Sequence, residues 1–259
     1  MPRDAERHAS KVPEITIIFW VIKIAATTLG ETGGDTVTMT LNWGYLVGTA
    51  MFFSLLVILV VWQILADKFH PFLYWATIVA STTAGTTMAD FADRSLGIGY
   101  AGGSLLLFAC LTAILALWYW TLGTIAVEMV STPKAEAFYW AAITFSQTLG
   151  TALGDRMADH TGLGYGGGAL VFALGLAMLA ALYLWISRVI LFWTAFILTR
   201  PLGATVGDFL DKPVKGGGLA LSRPIASAVI AVLILGCLLL LPQRAGQHPA
   251  RAEMPGASR

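Results

Sequence analysis

Long apolar stretches alternate along the chain with short polar segments that are rich in glycine. Four of these stretches, at 45–65, 104–127, 169–186 and 225–241, are close to the length of about 20 residues that a helix needs to cross the hydrocarbon of a bilayer. Each is preceded by a second apolar stretch that carries polar residues at regular intervals. The pattern predicts an all-α integral membrane protein with about eight transmembrane helices.

One aspartate recurs in the same sequence context four times. The four aspartates are Asp35, Asp90, Asp155 and Asp208. A glycine stands five positions before each of them, at Gly30, Gly85, Gly150 and Gly203, and another stands nine positions after, at Gly44, Gly99, Gly164 and Gly217. Agreement at several offsets in four places indicates an internal repeat, in which each unit supplies two helices.

The repeat divides the chain into four two-helix units. A short cytoplasmic segment, 1–12, precedes a single transmembrane domain, 13–242, with units at 13–68, 69–132, 133–188 and 189–242, and a polar, disordered tail, 243–259, follows. We expect first helices at 14–38, 71–93, 135–159 and 189–210, and second helices at 44–66, 99–127, 164–187 and 217–241. Because two helices return the chain to its starting side, the units are expected to be parallel repeats in a pseudo-fourfold arrangement.

Polar residues on the first helices recur every four positions, so each first helix carries one polar stripe. The candidate residues for ion binding or relay are Asp35, Asp90, Asp155, Asp208, Glu31, Asp159, Thr27, Thr82, Thr86, Gln147 and Thr151. The candidate charge partners are Lys23, Arg200, Arg94 and Arg156. The second helices carry almost no ionisable residues, so we expect the first helices inside and the second helices outside, against lipid.

Small residues spaced four apart accompany each stripe. The glycines of these pairs are Gly30, Gly34, Gly85, Gly150, Gly154, Gly203 and Gly207. Such pairs let helix backbones approach closely in a membrane. Tryptophans are predicted to lie near helix ends as interfacial anchors, and they are Trp20, Trp43, Trp75, Trp118, Trp120, Trp140, Trp185 and Trp193.

The stripes offer carboxylates and hydroxyls, which are ligands of hard cations, and they lack the Cys, Met and His ligands of soft metals. The first hypothesis is therefore a small transporter or channel for a divalent metal ion such as Mn²⁺, Ca²⁺ or Mg²⁺, with or without proton coupling. The alternative is a non-transporting sensor or scaffold, in which the aspartates cap turns or pair with Arg94, Arg156 or Lys212. In either case Lys23, Glu31 and Arg200 are expected to form a central ion-pair network.

Composition narrows the function further. The chain is 57% hydrophobic and 12% charged, which does not fit a soluble domain, and a net charge of +1 predicts no nucleic-acid surface. Neither a nucleophile–base pair nor a soluble-enzyme motif is evident, so we expect no enzyme activity and no cofactor; the expected partners are the bilayer and a metal ion or proton. Nine Lys and Arg residues on the side of the termini, against five on the other side, predict cytoplasmic termini.

The segments around the four aspartates resemble those of a known family. They read Thr28-Leu-Gly-Glu-Thr-Gly-Gly-Asp, Thr83-Ala-Gly-Thr-Thr-Met-Ala-Asp, Thr148-Leu-Gly-Thr-Ala-Leu-Gly-Asp and Pro201-Leu-Gly-Ala-Thr-Val-Gly-Asp. They resemble the repeat of unknown function in a bacterial family of uncharacterised multi-pass membrane-anchored proteins, over residues 15–242. The resemblance implies a protein of the bacterial inner membrane and brings no activity with it.

The first segment has a second likeness. Glu31-Thr-Gly-Gly-Asp35-Thr is similar to the Glu-x-Gly-Asp-(Lys/Arg)-(Ser/Thr) motif of a manganese and calcium exporter family. It has one inserted residue, lacks the basic residue after the aspartate, and occurs once where that family has two copies. The likeness is therefore one of ligand chemistry only.

Overall fold

The described part of the chain folds into eight α-helices. The computed structural model describes residues 10–95, 97 and 99–246, and gives only the backbone of residues 100, 159, 160 and 216. The helices are α1 (Ile17–Asp35), α2 (Tyr45–Leu65), α3 (Pro71–Asp90), α4 (Tyr100–Leu122), α5 (Pro133–His160), α6 (Gly164–Ala181), α7 (Arg188–Asp211) and α8 (Arg223–Leu240). Most of the predicted terminal segments, 1–12 and 243–259, lies outside the described residues.

The recurring glycine after each aspartate has a backbone reason. All four of these glycines adopt positive φ, with 77° at Gly44, 77° at Gly99, 63° at Gly164 and 86° at Gly217. Residues with a Cβ are strained in this region, whereas glycine enters it freely. The repeat therefore keeps glycine where the chain turns from the first helix of a unit towards the second.

Three helix ends lie five or more residues from those predicted. The sixth helix ends at Ala181 rather than 187. Local turn chemistry accounts for the other two. The fourth helix ends at Leu122 rather than 127, because Gly123 takes a left-handed conformation that caps it. The eighth helix starts at Arg223 rather than 217, after a 3₁₀ turn at Val214–Gly216. Proline at the second position of α8 favours this start.

The first helices of the four units contact one another in cyclic order. Helix α1 packs against α3, α3 against α5, α5 against α7, and α7 against α1. The second helices follow the same rotation, because α2 packs on α3, α4 on α5, α6 on α7, and α8 on α1. Each second helix therefore packs most extensively against the first helix of the next unit, and α8 closes the circle.

Burial and hydropathy differ between the two sets of helices. Helix α2 buries only Gly48, Leu56 and Gln63, whereas α3 buries most of its length. Five helices, α2, α4, α6, α7 and α8, are long and apolar enough to cross a membrane. Their apolar surfaces indicate a membrane-embedded protein. The polar stripes lower the hydropathy of α1, α3 and α5.

The first helices α1, α3, α5 and α7, which contact one another in a ring, are called the inner helices. An aromatic layer closes this ring near the chain termini. It consists of Phe19, Tyr74, Tyr139 and Phe192, sixteen residues before each aspartate, and of the tryptophans that follow them, Trp20, Trp75, Trp140 and Trp193. Each Phe or Tyr contacts the tryptophan of the next unit, with ring centroids 5.4, 5.7, 6.4 and 5.9 Å apart around the circle. Trp75, Trp140 and Trp193 are buried, so they belong to the core and not to interfacial anchors.

The two tyrosines of the aromatic layer share one hydrogen bond. The hydroxyl oxygens of Tyr74 and Tyr139 lie 2.6 Å apart, and both side chains are fully buried. The free energy of unfolding of the Tyr139→Phe variant is expected to be lower than wild type by about 1–3 kcal/mol, because the variant leaves the Tyr74 hydroxyl buried without a partner. The double variant Tyr74→Phe, Tyr139→Phe is expected to be close to wild type. Equilibrium unfolding in mixed detergent micelles checks both; a double variant as unstable as the single variant contradicts this account.

The two ends of the described chain pair with each other beside the aromatic layer. The Gly246 N–H donates to the Val12 carbonyl at 2.8 Å, and the Glu14 N–H donates to the Arg244 carbonyl at 2.9 Å. The Trp75 indole N–H donates to Gln243 at 3.3 Å. The first residues of the predicted tail are thus held by hydrogen bonds at this end of the bundle.

Candidate functional site

The polar stripes of the four inner helices meet at the centre of the ring. Four residues before the aspartates lie Glu31, Thr86, Thr151 and Ala204; eight residues before lie Thr27, Thr82, Gln147 and Arg200; twelve residues before lie Lys23, Ile78, Ile143 and Phe196. All of these side chains are buried, as are the four aspartates. Buried polar groups need partners, and some of these side chains find them on neighbouring helices.

Arg200 joins all four inner helices. Its Nη2 atom, on α7, lies 3.1 Å from Glu31 Oε2 on α1 and donates to Thr86 Oγ1 on α3 and Thr151 Oγ1 on α5, each at 2.5 Å. Thr86 in turn donates to Glu31 Oε2 at 3.2 Å. We call these four residues the Arg200 cluster. Since each inner helix supplies one member, the cluster fixes their relative rotation.

Two backbone carbonyls and one repeated glycine complete the surroundings of the Arg200 side chain. Its guanidinium also donates to the carbonyls of Thr27 and Thr82, each at 3.4 Å. A Cβ at Gly150 would overlap the Arg200 side chain. In the third unit, the glycine five positions before the aspartate thus gives the arginine room to cross the ring.

Lys23 is buried without a carboxylate. Within the described residues its Nζ atom forms no salt bridge; it lies 3.4 Å from Gln147 Oε1 and 4.1 Å from the centroid of the Phe196 ring. The quadrupole of an aromatic face attracts an ammonium group. Of the two partners predicted for Glu31, the structure therefore pairs it with Arg200 and places Lys23 apart.

Five acidic side chains form a carboxylate cluster on the side of Arg200 away from the aromatic layer. One oxygen each of Glu31, Asp155 and Asp208 lie within 4.8 Å of one another, and so do oxygens of Asp35, Asp208 and Asp211. Asp208 belongs to both groups and joins them. Oxygens around a Ca²⁺ ion lie 2.3–2.6 Å from the metal, so pairs of ligands at opposite sides are up to about 5 Å apart. The separations are compatible with a shared hard cation.

Basic side chains border the carboxylate cluster at the end of the bundle away from the chain termini. Lys212 Nζ lies 2.5 Å from Asp35 Oδ2 and 3.1 Å from Asp208 Oδ1, so it bridges the first and fourth units. Arg223 lies 2.8 Å from Asp211 Oδ2. Burial lowers the pKa of Lys212, but the carboxylates, Asp208 foremost, outweigh that effect and hold its pKa above the ordinary value. Lys212 is therefore a charged group tethered inside the ring of aspartates.

Not every predicted residue enters the centre. Asp90 pairs at 2.7 Å with Arg94 of the following turn, and the Arg94 side chain is 38% exposed. Arg156 is exposed at the surface. The side chain of Asp159 lies outside the described residues. Sequence reasoning missed Asp211 and Arg223; a signal for Asp211 was its position three residues after Asp208, on the same helix.

The small residues lie where the inner helices meet. An added Cβ at Gly30 or Gly34 would meet Thr82 or Thr86 of α3, and one at Gly85 would meet the backbone at Gln147 of α5. The remaining three, Gly154, Gly203 and Gly207, face Ala204, Thr27 and Glu31 respectively. Each glycine thus touches the inner helix of the following unit, in the same rotation as the ring.

The cyclic order of four equivalent units agrees with the comparison against known families. The model of the family described as Repeat of Unknown Function (DUF347) matches the chain four times, at 18–69, 73–124, 138–188 and 191–243. The chain belongs to this family. The membership expected from the sequence is confirmed, and each match contains one of the four aspartates.

Comparison of this DUF347 protein with curated proteins and with solved structures gives no match. The family is defined by a repeat of unknown function, so any activity has to be argued from the residues at the centre of the ring.

Proposed function

We propose that this protein is a membrane transporter for a hard cation, a divalent metal ion or a proton, and has no enzyme activity. The observation that carries the proposal is the carboxylate cluster, in which Glu31, Asp155 and Asp208 from three inner helices bring oxygens within 4.8 Å of one another. Charged groups are costly inside a bilayer and are normally paired or placed along a path for ions.

The charges of the site support a cation rather than an anion. Six carboxyl groups are buried: the five of the carboxylate cluster, and that of Asp90, which pairs with Arg94 outside the cluster. Among the described residues, four basic side chains form ion pairs with them: Arg94, Arg200, Lys212 and Arg223. With every group ionised, the site carries two excess negative charges, or one when Lys23 is counted. A bound cation or protons offset that excess.

Free ligand positions support the same reading. In the part of the chain that is described, Oδ1 of Asp35 and Oδ1 of Asp211 are buried and accept no hydrogen bond. A carboxylate has two oxygens, and the other oxygen of each residue is engaged by Lys212 or Arg223. Asp35 and Asp211 both belong to the second group of three carboxylates, so their unengaged oxygens are candidate ligands for a cation.

The proposed topology follows the two sets of helices. We propose that all eight helices cross the bacterial inner membrane as parallel two-helix repeats, with α1, α3, α5 and α7 inside and the other four against lipid. Both termini are placed in the cytoplasm, on the side of the aromatic layer. A cation that enters from the opposite side meets the carboxylates first and then Arg200, so passage requires the Arg200 cluster and the aromatic layer to rearrange. This favours a transporter over an open channel.

A second function is favoured by the ion pairs themselves. Glu31–Arg200, Asp35–Lys212 and Asp90–Arg94 link or rigidify helices at contact distances of 3.1, 2.5 and 2.7 Å. In a scaffold or sensor, such pairs would specify how the helices pack and would move no ion. The two functions predict different outcomes for the same variant.

The Asp155→Asn variant is expected to reduce cation flux at least about tenfold, because it removes one charged ligand from the group of three carboxylates. Flux is measured in proteoliposomes with Mn²⁺, Ca²⁺ and Mg²⁺ gradients and with a pH-sensitive dye for protons. The matched control is Asp67→Asn, which removes an exposed carboxylate in the connection between α2 and α3.

The control and the wild type are expected to transport equally well. If wild-type protein moves none of the four cations, and Asp155→Asn changes only thermal stability, the transport proposal is lost and the scaffold remains. If Asp155→Asn transports as fast as wild type, the carboxylate cluster is not the site.

A further inference from the structure

A groove of about 760 Å³ lies on the side of the bundle, separate from the carboxylate cluster. Its walls come from α1, α6 and α7 at the seam where the first and fourth units meet. Ile17 and Ile24 mark its extent on α1, and Arg188 and Thr199 mark it on α7. At 1.5 Å per residue, these spans correspond to a depth of about 10–17 Å.

The charged side chains of the groove lie at one end only. Glu14, Glu128 and Arg188 line it, and all three lie at the end of the bundle where the chain termini pair. Among the described residues, none of the three side chains forms an ion pair. Deeper in, the lining is formed by apolar residues such as Ile24 and Ala195. The groove is therefore amphipathic along its length.

We propose that the groove binds one membrane phospholipid whose headgroup carries a phosphate and a primary ammonium, as in phosphatidylethanolamine. Arg188 meets the phosphate, and Glu14 and Glu128 meet the ammonium, because a guanidinium pairs with phosphate and carboxylates accept from N–H donors. The acyl chain lies along Ile17, Ile24 and Leu191. The depth of the groove suits one leaflet, since half of the hydrocarbon core is about 15 Å thick.

The chemistry of the polar end selects this lipid over others. An anionic lipid without an amine satisfies Arg188 and leaves two carboxylates beside its headgroup. A quaternary ammonium has no N–H to donate to Glu14 or Glu128. The occupant proposed here satisfies all three side chains at once.

Binding is tested on the delipidated full-length protein by titrating phosphatidylethanolamine or phosphatidylglycerol in detergent, with retained lipid counted by native mass spectrometry. Wild type is expected to bind phosphatidylethanolamine more tightly than phosphatidylglycerol, by about fivefold for each of the two carboxylates. Glu14→Gln with Glu128→Gln is expected to abolish that preference. Arg188→Gln is expected to lower the affinity for both lipids by about fivefold.

Two further variants keep the test decisive. Asp67→Asn with Lys68→Gln changes exposed charges in the connection between α2 and α3, outside the groove, and is expected to leave the lipid preference intact. Ala195→Trp fills the groove and is expected to remove the bound lipid while the fold remains. Equal affinity of wild type for the two lipids, or unchanged lipid retention in Ala195→Trp, overturns the proposal.

Discussion

Replacing Arg200 with methionine is expected to destabilise the protein by about 3–5 kcal/mol. Methionine fills a similar space without the charge, so the variant leaves the Glu31 carboxylate buried without its basic partner. It also removes the donors to Thr86, Thr151 and the Thr82 carbonyl. Equilibrium unfolding in mixed detergent micelles measures the loss.

A second substitution separates the charge from the packing. Glu31→Gln combined with Arg200→Met removes both charges, so the double variant is expected to recover more than half of the lost stability. Arg156→Met is the matched control, since Arg156 is exposed, and its effect is expected to stay within about 0.5 kcal/mol. An Arg200→Met protein as stable as wild type would show that the Arg200 cluster does not hold the ring together.

The Gly203→Ala variant is expected to cost about 1–3 kcal/mol or to prevent folding. A Cβ at this position would overlap the Thr27 hydroxyl and would lie 3.0 Å from the Thr27 carbonyl carbon. A hydroxyl can rotate away, but the backbone of α1 cannot yield without moving the helix. Close approach of α7 and α1 therefore depends on the missing side chain.

The control for Gly203→Ala is the same substitution at another glycine that precedes a repeated aspartate. Gly33 lies within α1, and an added Cβ there has nothing within 4 Å. Gly33→Ala is expected to leave stability unchanged or to raise it by up to about 1 kcal/mol, because alanine is the better helix former. Thermal unfolding of both variants is the comparison; equal losses for Gly203→Ala and Gly33→Ala would exclude a packing role.

Periodicity alone predicted much of the central site. The spacing of four residues placed Glu31 and Asp35, and likewise Thr86 and Asp90, on one face, because the α-helical rise and turn are fixed. The family membership followed from the same repeat. The aromatic layer was equally visible, since a Phe or Tyr followed by Trp stands sixteen residues before every aspartate. It was misinterpreted because single tryptophans near helix ends are typical of membrane interfaces.

Partner choice could not be predicted from one sequence. Glu31 had two candidate bases, and their distances depend on how α1 and α7 rotate against each other. Arg223 is the first residue of α8, whose start was misplaced, so its contact with Asp211 could not be predicted. The assignment of each second helix to the next unit was equally hidden, because those helices are apolar on all sides and carry no directional signal.

That assignment bears on how the chain acquires its structure. A duplicated two-helix unit suggests a module that folds by itself, yet here the two helices of a unit do most of their packing elsewhere. The surface of α1 that α8 covers stays exposed until α8, the last of the eight described helices, has been synthesised. Contacts between the two ends of a chain form late, since they depend on closing the longest loop. The unit of duplication is thus not the unit of folding, and a nascent chain stopped before α8 lacks the packing partner of α1.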